Sequence, residues 1–460
     1  MSVRSTLLSE YQRRRRVLMR TCGEASAIVV PAAHEKVRSN DTHYPFRQDS
    51  DFLYLTGFRE PDAVLVLVPG RARGEAVIFC RERDAERERW DGPRLGVEAA
   101  AASLGLDDAF PLADIDEILP GLIEGRSKIY YPLGRDPDFD RRILAWLERL
   151  RSRSRQGATP PQELVALSHV LAEQRLFKSP AEVALMRKAV AIAVAAHRRA
   201  MASARPGIRE YELEAELLYE FKREGAEPAY GAIVASGPNA CILHHRAGSR
   251  AAKPGELVLI DAGAEFEGYA SDITRTFPVD GRFSAPQRAL YELVLAAQEA
   301  AIAAVRPGAS WIAPHQAAVR VLTEGLVRLG LLDGAPEKHI REESYRRFYM
   351  HKTGHWLGLD VHDVGDYRVD GEWRVLEPGM VLTIEPGLYI AEDDTTVAPE
   401  WRGIGIRIED DVLVTRRGAE VLSAALPKAP EAIEAMVGCA AKGAPNPLNA
   451  KRPAARKRRG

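Results

Sequence analysis

The 460-residue sequence has little cysteine: Cys22, Cys80, Cys241 and Cys439 stand far apart, and no two form a CxxC pair. That spacing excludes a thiolate zinc cluster and a disulfide framework. It fits a reducing compartment, so a cytoplasmic protein is expected. No apolar run approaches the ~20 residues that a membrane helix needs, and no membrane partner is expected. Net charge is missing as well. The 64 basic and 65 acidic residues leave −1, which gives no global attraction to nucleic acid. The exceptions are local. The last ten residues, KRPAARKRRG, carry six Lys or Arg and no acid, so 439–460 reads as a disordered basic tail. A second basic run occupies 13–16, but Glu10 precedes it and no signal-peptide core follows. It reads as the solvated face of a first helix over 1–20, with Leu7, Tyr11, Val17 and Leu18 inward.

What is present is enough for a large core, with 46% hydrophobic and 28% charged residues and length for two to four domains. Residues 1–170 read as a smaller mixed α/β domain. Its strands are expected at 27–31, 52–58, 63–69 and 76–80, with a helix over 143–150 and linker-like composition over 152–161. From 171 to 438 the pattern changes. Ser179-Pro180-Ala181-Glu182 is a strong helix start, with Ser as the cap, Pro at the first helical position and Glu three residues on. Helices are expected from there to about 204, over 210–224, over 286–305 and over 314–329. Arg205-Pro206-Gly207 and Arg306-Pro307-Gly308 are matching stops.

A repeated stop prompts a search for repetition. Pro254-Gly255 followed by ELVLIDAG matches Pro378-Gly379 followed by MVLTIEPG. Asp261 falls on Glu385 and Gly263 on Gly387, so each half puts a carboxylate seven residues after a Pro, ahead of a glycine turn. Around the first match, 257–277 reads as a hairpin with Asp261 and Asp272 on opposite arms. A turn centred between Phe266 and Glu267 makes the two face each other, with Cβ atoms about 5 Å apart. Carboxylates that close in an apolar hairpin need a shared proton or a cation. A slipped register leaves each in its own turn. The second half adds Glu409 in GIGIRIEDDVLV. Between the halves, His351, His355 and His362 place three of the eleven histidines within one short stretch. His351 and His355 have the spacing of a zinc-binding helix, but Lys352, Gly354 and Gly358 argue against that helix and against a thermolysin-like site.

These motifs resemble the pita-bread metallopeptidases, and most closely the Xaa-Pro aminopeptidases (aminopeptidase P). They are IDAG at 260–263, SDITRTF at 271–277, HKTGHWLGLDVHD at 351–363, TIEPG at 383–387 and GIGIRIEDD at 403–411. YPFRQDSDFLYLTGFREPDAVLVL at 44–67 and the stretch from Trp90 to Gly96 extend the resemblance into the first domain. The implied fold class is α/β (α+β): a C-terminal pita-bread catalytic domain with an internal pseudo-two-fold repeat, preceded by the smaller α/β domain. The implied metal ligands are Asp261, Asp272, His355, Glu385 and Glu409. Four carboxylates and one imidazole are hard, oxygen-rich donors suited to two divalent cations of the Mn²⁺ type. The implied reaction is hydrolysis of the bond between an N-terminal residue and a following proline, with a metal-bridging hydroxide as nucleophile.

The resemblance also assigns Glu385 as proton acceptor and His244 and His362 as donors to the carbonyl oxygen and tetrahedral intermediate. It puts His351 at the proline ring, Arg407 on ligand carboxylates or substrate, and Tyr230 and Tyr389 behind the ligands. Trp90 would close over substrate, from a neighbouring subunit in a homo-oligomer, dimer or tetramer. The partners implied are peptides with proline in the second position. Prolidase, which cuts only Xaa-Pro dipeptides, is the rival within the family. A metal-free binding module of the same fold is the rival outside it.

Overall fold

The computed structural model describes residues 3–439. The chain forms two compact units, Met1–Arg175 and Leu176–Gly460. Apart from Cys439, which is described and buried, the expected basic tail lies outside the described residues.

The first unit is built on a six-stranded mixed sheet in the order Asp108–Pro111, Ala76–Cys80, Val64–Leu67, Ser26–Pro31, Lys128–Tyr131, Glu163–Ala166. Its three central strands are antiparallel to one another, and the outer ones run parallel to their neighbours. Val29, Val66, Phe79 and Ile129 pack against Leu119 and Trp146 of two covering helices. Continuous β-branched runs such as SAIVVP suit strands buried on both faces.

Three expectations change here. Residues 52–58 are not a strand; Ser50–Thr56 is a buried helix. Asp49 caps it by accepting from the Phe52 amide at 2.9 Å, and Gly57 ends it in the left-handed conformation. The 152–161 stretch is not a linker between units, because Glu163–Ala166 just after it joins the same sheet. The 13–16 run is a solvated face only in part, with Arg13 and Arg16 exposed. Arg14 and Arg15 are buried. Arg14 donates to the Tyr54 carbonyl at 3.0 Å, and Arg15 to the carbonyls of Leu55 at 2.7 Å and Gly105 at 2.5 Å. They serve the unpaired carbonyl ends of two helices, Ser50–Thr56 and Val97–Leu104, where positive charge is favoured.

The second unit contains two successions of a helix pair followed by a three-stranded antiparallel sheet. Helices Pro180–Ser203 and Glu210–Arg223 lead into an antiparallel sheet of Ile233–Ser236, Leu257–Asp261 and Thr274–Pro278. Helices Ala285–Ala304 and Ala313–Arg328 then lead into Val381–Ile384, Asp410–Thr415 and Gly418–Val421. Each half opens on the same cap. Ser179 pairs reciprocally with Glu182, and Ser284 with Gln287.

The 257–277 hairpin differs from its expected register. Phe266 pairs with Tyr269, so Glu267 and Gly268 form the two-residue turn, and Asp261 faces Thr274 rather than Asp272. Both turn residues have positive φ, 53° and 86°, as a tight hairpin turn requires, and glycine supplies this at the second position. Asp272 lies two residues before Thr274, on the same face as Asp261 and diagonal to it.

Behind this face lies a charge cluster in which Arg275 and Asp410 are fully buried. Arg275 donates to the Glu409 carbonyl at 2.6 Å and to Asp410 at 2.8 Å. Lys428 and Gln298 also donate to Asp410, at 2.8 Å and 2.7 Å. Burial would raise the Asp410 carboxyl, but Arg275 and Lys428 hold it below its ordinary value. Removing Arg275 takes one of two cations from Asp410, which solvent does not reach, so Arg275→Met is expected to cost about 3–5 kcal/mol. Urea unfolding of the variant against the parent measures this, and a loss below about 1 kcal/mol would show that the cluster does not hold this strand.

Candidate metal centre

Asp261, Asp272, His355, Glu385 and Glu409 all line one cavity of about 260 Å³, together with His244, His351, His362 and Arg407. All the lining residues belong to the second unit. Asp261 ends the strand Leu257–Asp261, and Asp272 precedes Thr274–Pro278. Glu385 directly follows Val381–Ile384, and Glu409 directly precedes Asp410–Thr415. The carboxylates therefore sit at strand ends, where the ladder stops and side chains can converge.

His355 arrives from an irregular segment that zips onto Val381–Ile384. The Glu385 amide donates to the Thr353 carbonyl at 2.8 Å, and the Thr383 amide to the His355 carbonyl at 2.9 Å. A Cβ on Gly354 would sit 2.0 Å from the Thr383 carbonyl oxygen, so only glycine permits this approach. His355 Nδ1 donates to the Trp356 carbonyl at 2.9 Å, which turns Nε2 towards the carboxylates. That nitrogen lies 3.4 Å from Asp272 and 3.7 Å from Glu385. Ligand atoms of Asp272, His355 and Glu409 fall within 4.8 Å of one another.

Three hydroxyls and one guanidinium organise these donors. The Tyr230 hydroxyl bridges Asp261, at 2.5 Å, and Asp272. Thr274 donates to Glu409 at 2.7 Å, and Thr383 reaches Glu385 at 3.4 Å. Arg407 is buried, and its nitrogens go to Asp261 at 2.6 Å, Tyr389 at 3.0 Å and Thr274 at 3.2 Å. The two threonines are absent from the sequence reading. Period-2 alternation points to them, since each lies two residues from a carboxylate, on the same strand face.

The electrostatics are those of too many acids in one dry place. Burial raises Glu385 to about 7, against the lowering charges of His355 and Arg407. Burial also raises Glu409 well above the carboxylate range and raises Asp261 despite Arg407. Asp272 stays below its ordinary value, because the hydrogen bond and charge of His355 outweigh burial. The reciprocal effect lifts His355 to about 9 against its own burial. One arginine and one histidine face four carboxylates, so the donor set matches hard divalent cations.

The remaining predicted residues sit around this floor. His351 Nδ1 donates to the Lys352 carbonyl at 2.8 Å, so its Nε2 accepts from the Tyr389 hydroxyl at 2.9 Å. Burial and Arg407 push His351 down to about 4, leaving it neutral. The His362 ring stands edge-on to His355 at 4.3 Å, and partial burial and His355 lower its imidazole. His244 is exposed at the cavity wall. Its neighbour His245 turns away to Glu210 at 2.8 Å. Buried Glu210 also accepts from the amides of Ser236 and Gly248 and so anchors the segment that carries His244. Trp90 belongs to the first unit, on the short helix Glu88–Asp91, and is 84% exposed.

A family model described as metallopeptidase family M24 matches residues 184–416. The chain belongs to that family. A second model, the aminopeptidase P N-terminal domain, matches 11–130. The Xaa-Pro aminopeptidase of Escherichia coli K12 is 48% identical over 94% of this chain and 98% of its own length. Among solved structures, Pseudomonas aeruginosa aminopeptidase PepP is 59% identical, with a TM-score of 0.93 over 95% of this chain and 99% of that one. A zinc-substituted E. coli aminopeptidase P in complex with product is 47% identical, with a TM-score of 0.91 over 94% and 98%.

The Tyr230 hydroxyl orients two of the four clustered carboxylates at once. Tyr230→Phe is expected to weaken divalent-cation binding about 10–100-fold with the fold intact. Isothermal titration with Mn²⁺, alongside circular dichroism, measures both; unchanged affinity would show that the bridge does not position the ligands.

Proposed function

We propose that this chain is a dinuclear-metal aminopeptidase that removes the N-terminal residue from peptides carrying proline in the second position. The convergence of Asp261, Asp272, His355, Glu385 and Glu409 on one cavity floor carries this reading. These five would hold two divalent cations, and their hard oxygen donors favour Mn²⁺. Such cations supply Lewis acidity towards the peptide carbonyl and a water-derived nucleophile at neutral pH. The repeated order of helix pair and sheet supports a pita-bread fold with a pseudo-two-fold relating Asp261 to Glu385.

The chain's own groups do the rest. Glu385, on the floor of the cavity, accepts the proton of the attacking water and returns it to the proline nitrogen as the bond breaks. His244 and His362, on the open side of the cavity, donate to the developing oxyanion. The neutral His351 ring, held by Tyr389, is the wall for the proline ring. Arg407 binds Asp261 and Tyr389 and acts on substrate through them. An Xaa-Pro bond has no N–H and a φ fixed near −65°, so a ring-shaped wall beside the cations selects it.

No described helix is long and apolar enough to cross a membrane. The four cysteines are free, which supports a cytoplasmic protein. The bare Trp90 indole supports a homo-oligomer, dimer or tetramer, in which a neighbouring subunit covers it and it closes over substrate.

Purified enzyme with Mn²⁺ should cleave a tripeptide Ala-Pro-Ala at the first bond. Activity confined to the dipeptide Ala-Pro would make it a prolidase instead. Asp272→Ala should abolish turnover and one Mn²⁺ equivalent while far-UV circular dichroism stays unchanged; full activity in that variant would overturn the two-cation centre.

A further inference from the structure

A second cavity, about 500 Å³, shares part of its wall with the metal centre: Lys352 and Gly354 line both. Its lining is unlike that of its neighbour. Trp311, Tyr367 and Trp373 form aromatic walls, with Leu382 and Ile384 among the apolar groups. The Trp311 and Tyr367 rings lie 4.8 Å apart, and both rings also pack on buried Trp356, at 4.0 Å and 5.7 Å. This wall is therefore held by ring packing before any ligand arrives. The third wall is a small hairpin, Arg368–Val369 with Glu372–Trp373, in which Arg368 pairs directly with Trp373. The Arg368 guanidinium rests 4.3 Å from the Trp373 ring centroid. Arg368 is exposed, and among the described residues no carboxylate lies within ion-pair distance of it or of Lys352. An apolar, aromatic pocket rimmed by two cations with no carboxylate at ion-pair distance is complementary to an apolar side chain beside a carboxylate.

Its position says where such a group comes from. His351, the proposed wall for the proline ring, is followed directly by Lys352, and Lys352 opens onto the second cavity. We propose that this cavity is the subsite for the residue after proline. It takes an aromatic or large apolar side chain between Trp311, Tyr367 and Trp373, and Arg368 attracts the peptide's terminal carboxylate. The preferred substrates are then short peptides of the form Xaa-Pro followed by an aromatic residue. The inference rests on the Xaa-Pro aminopeptidase reading of the neighbouring centre. Base-like stacking on aromatic walls and a charge-assisted pair are each ordinary sources of such selectivity.

The test compares Ala-Pro-Phe, Ala-Pro-Gly and Ala-Pro-Phe-amide on the Mn²⁺ enzyme, its Trp373→Ala variant and its Arg368→Gln variant. The parent should prefer Ala-Pro-Phe to Ala-Pro-Gly about 10-fold in kcat/KM, through KM, as expected for binding remote from the reacting bond. Trp373→Ala should reduce that ratio to about 2-fold while leaving Ala-Pro-Gly unchanged. Amidation should cost the parent about 5-fold and the Arg368→Gln variant nothing. Cleavage of all three peptides at equal efficiency, or a Phe preference that survives Trp373→Ala, would overturn this subsite alone. Failure to cleave any of them would overturn the aminopeptidase reading and the subsite with it.

Discussion

The second unit is organised around one electrostatic constraint: four carboxylates share a buried cavity with too little positive charge inside the protein to balance them. Placing them there without partners is unfavourable by many kcal/mol in a low-dielectric interior, and groups so placed protonate or bind cations. The raised values of Glu385, Glu409 and Asp261 are the protein-only response. The surroundings serve to keep the cluster assembled while it waits for cations. Hydroxyls of Tyr230, Thr274 and Thr383 hold individual oxygens, and Arg407 neutralises one carboxylate. Arg275 fastens the strand end that carries Glu409.

This constraint accounts for the architecture as well as the chemistry. Carboxylates can converge only where backbone pairing stops, so they arrive at strand ends, with Asp261 and Glu385 each two residues before a glycine. The antiparallel sheets supply rigid walls, and the helix pairs behind them fill the apolar side. The one nitrogen donor cannot come from a sheet rung without displacing a carboxylate. It arrives on an irregular segment, and Gly354 lets that segment lie against the strand. The tautomer is set in the same step, because the Nδ1 hydrogen is spent on the next carbonyl. The result is a site with its metal-facing atoms oriented by backbone bonds rather than by flexible side chains, which favours geometric accuracy.

The same segment divides two unlike spaces. On one side is a polar, acid-lined cavity suited to cations and a reacting bond. On the other is a larger aromatic one suited to binding alone. Binding energy gathered away from the reacting atoms is a general way to favour particular substrates without altering the catalytic groups. The N-terminal unit follows its own logic: a mixed sheet buried under helices, with arginines from the first helix closing two helix ends.

Much of this was legible in one dimension. Helix starts at Ser179 and Ser284, the Arg-Pro-Gly stops and the doubled Pro-Gly strand are local signals, and local signals survive without a structure. The five donor residues could be named because each sits in a short motif whose chemistry depends on residue type. Readings failed where partners are remote or geometry is collective. Arg14 and Arg15 looked solvated because the carbonyls they meet lie about forty and ninety residues away. Residues 52–58 looked like a strand because a fully buried helix shows no alternation, and its cap at Asp49 was the better signal. The hairpin register depended on which two residues could take positive φ, and a shift of one turn position moved Asp272 from facing Asp261 to lying diagonal to it. The aromatic cavity has no sequence signature at all, since its walls come from 311–315, 352–354, 367–373 and 382–384. Composition and motif pointed to the acids and histidines that the fold gathers in one cavity. The tertiary structure alone decided which oxygen each group faces and which aromatic cavity adjoins the acid-lined one, because both depend on contacts between segments far apart in the chain.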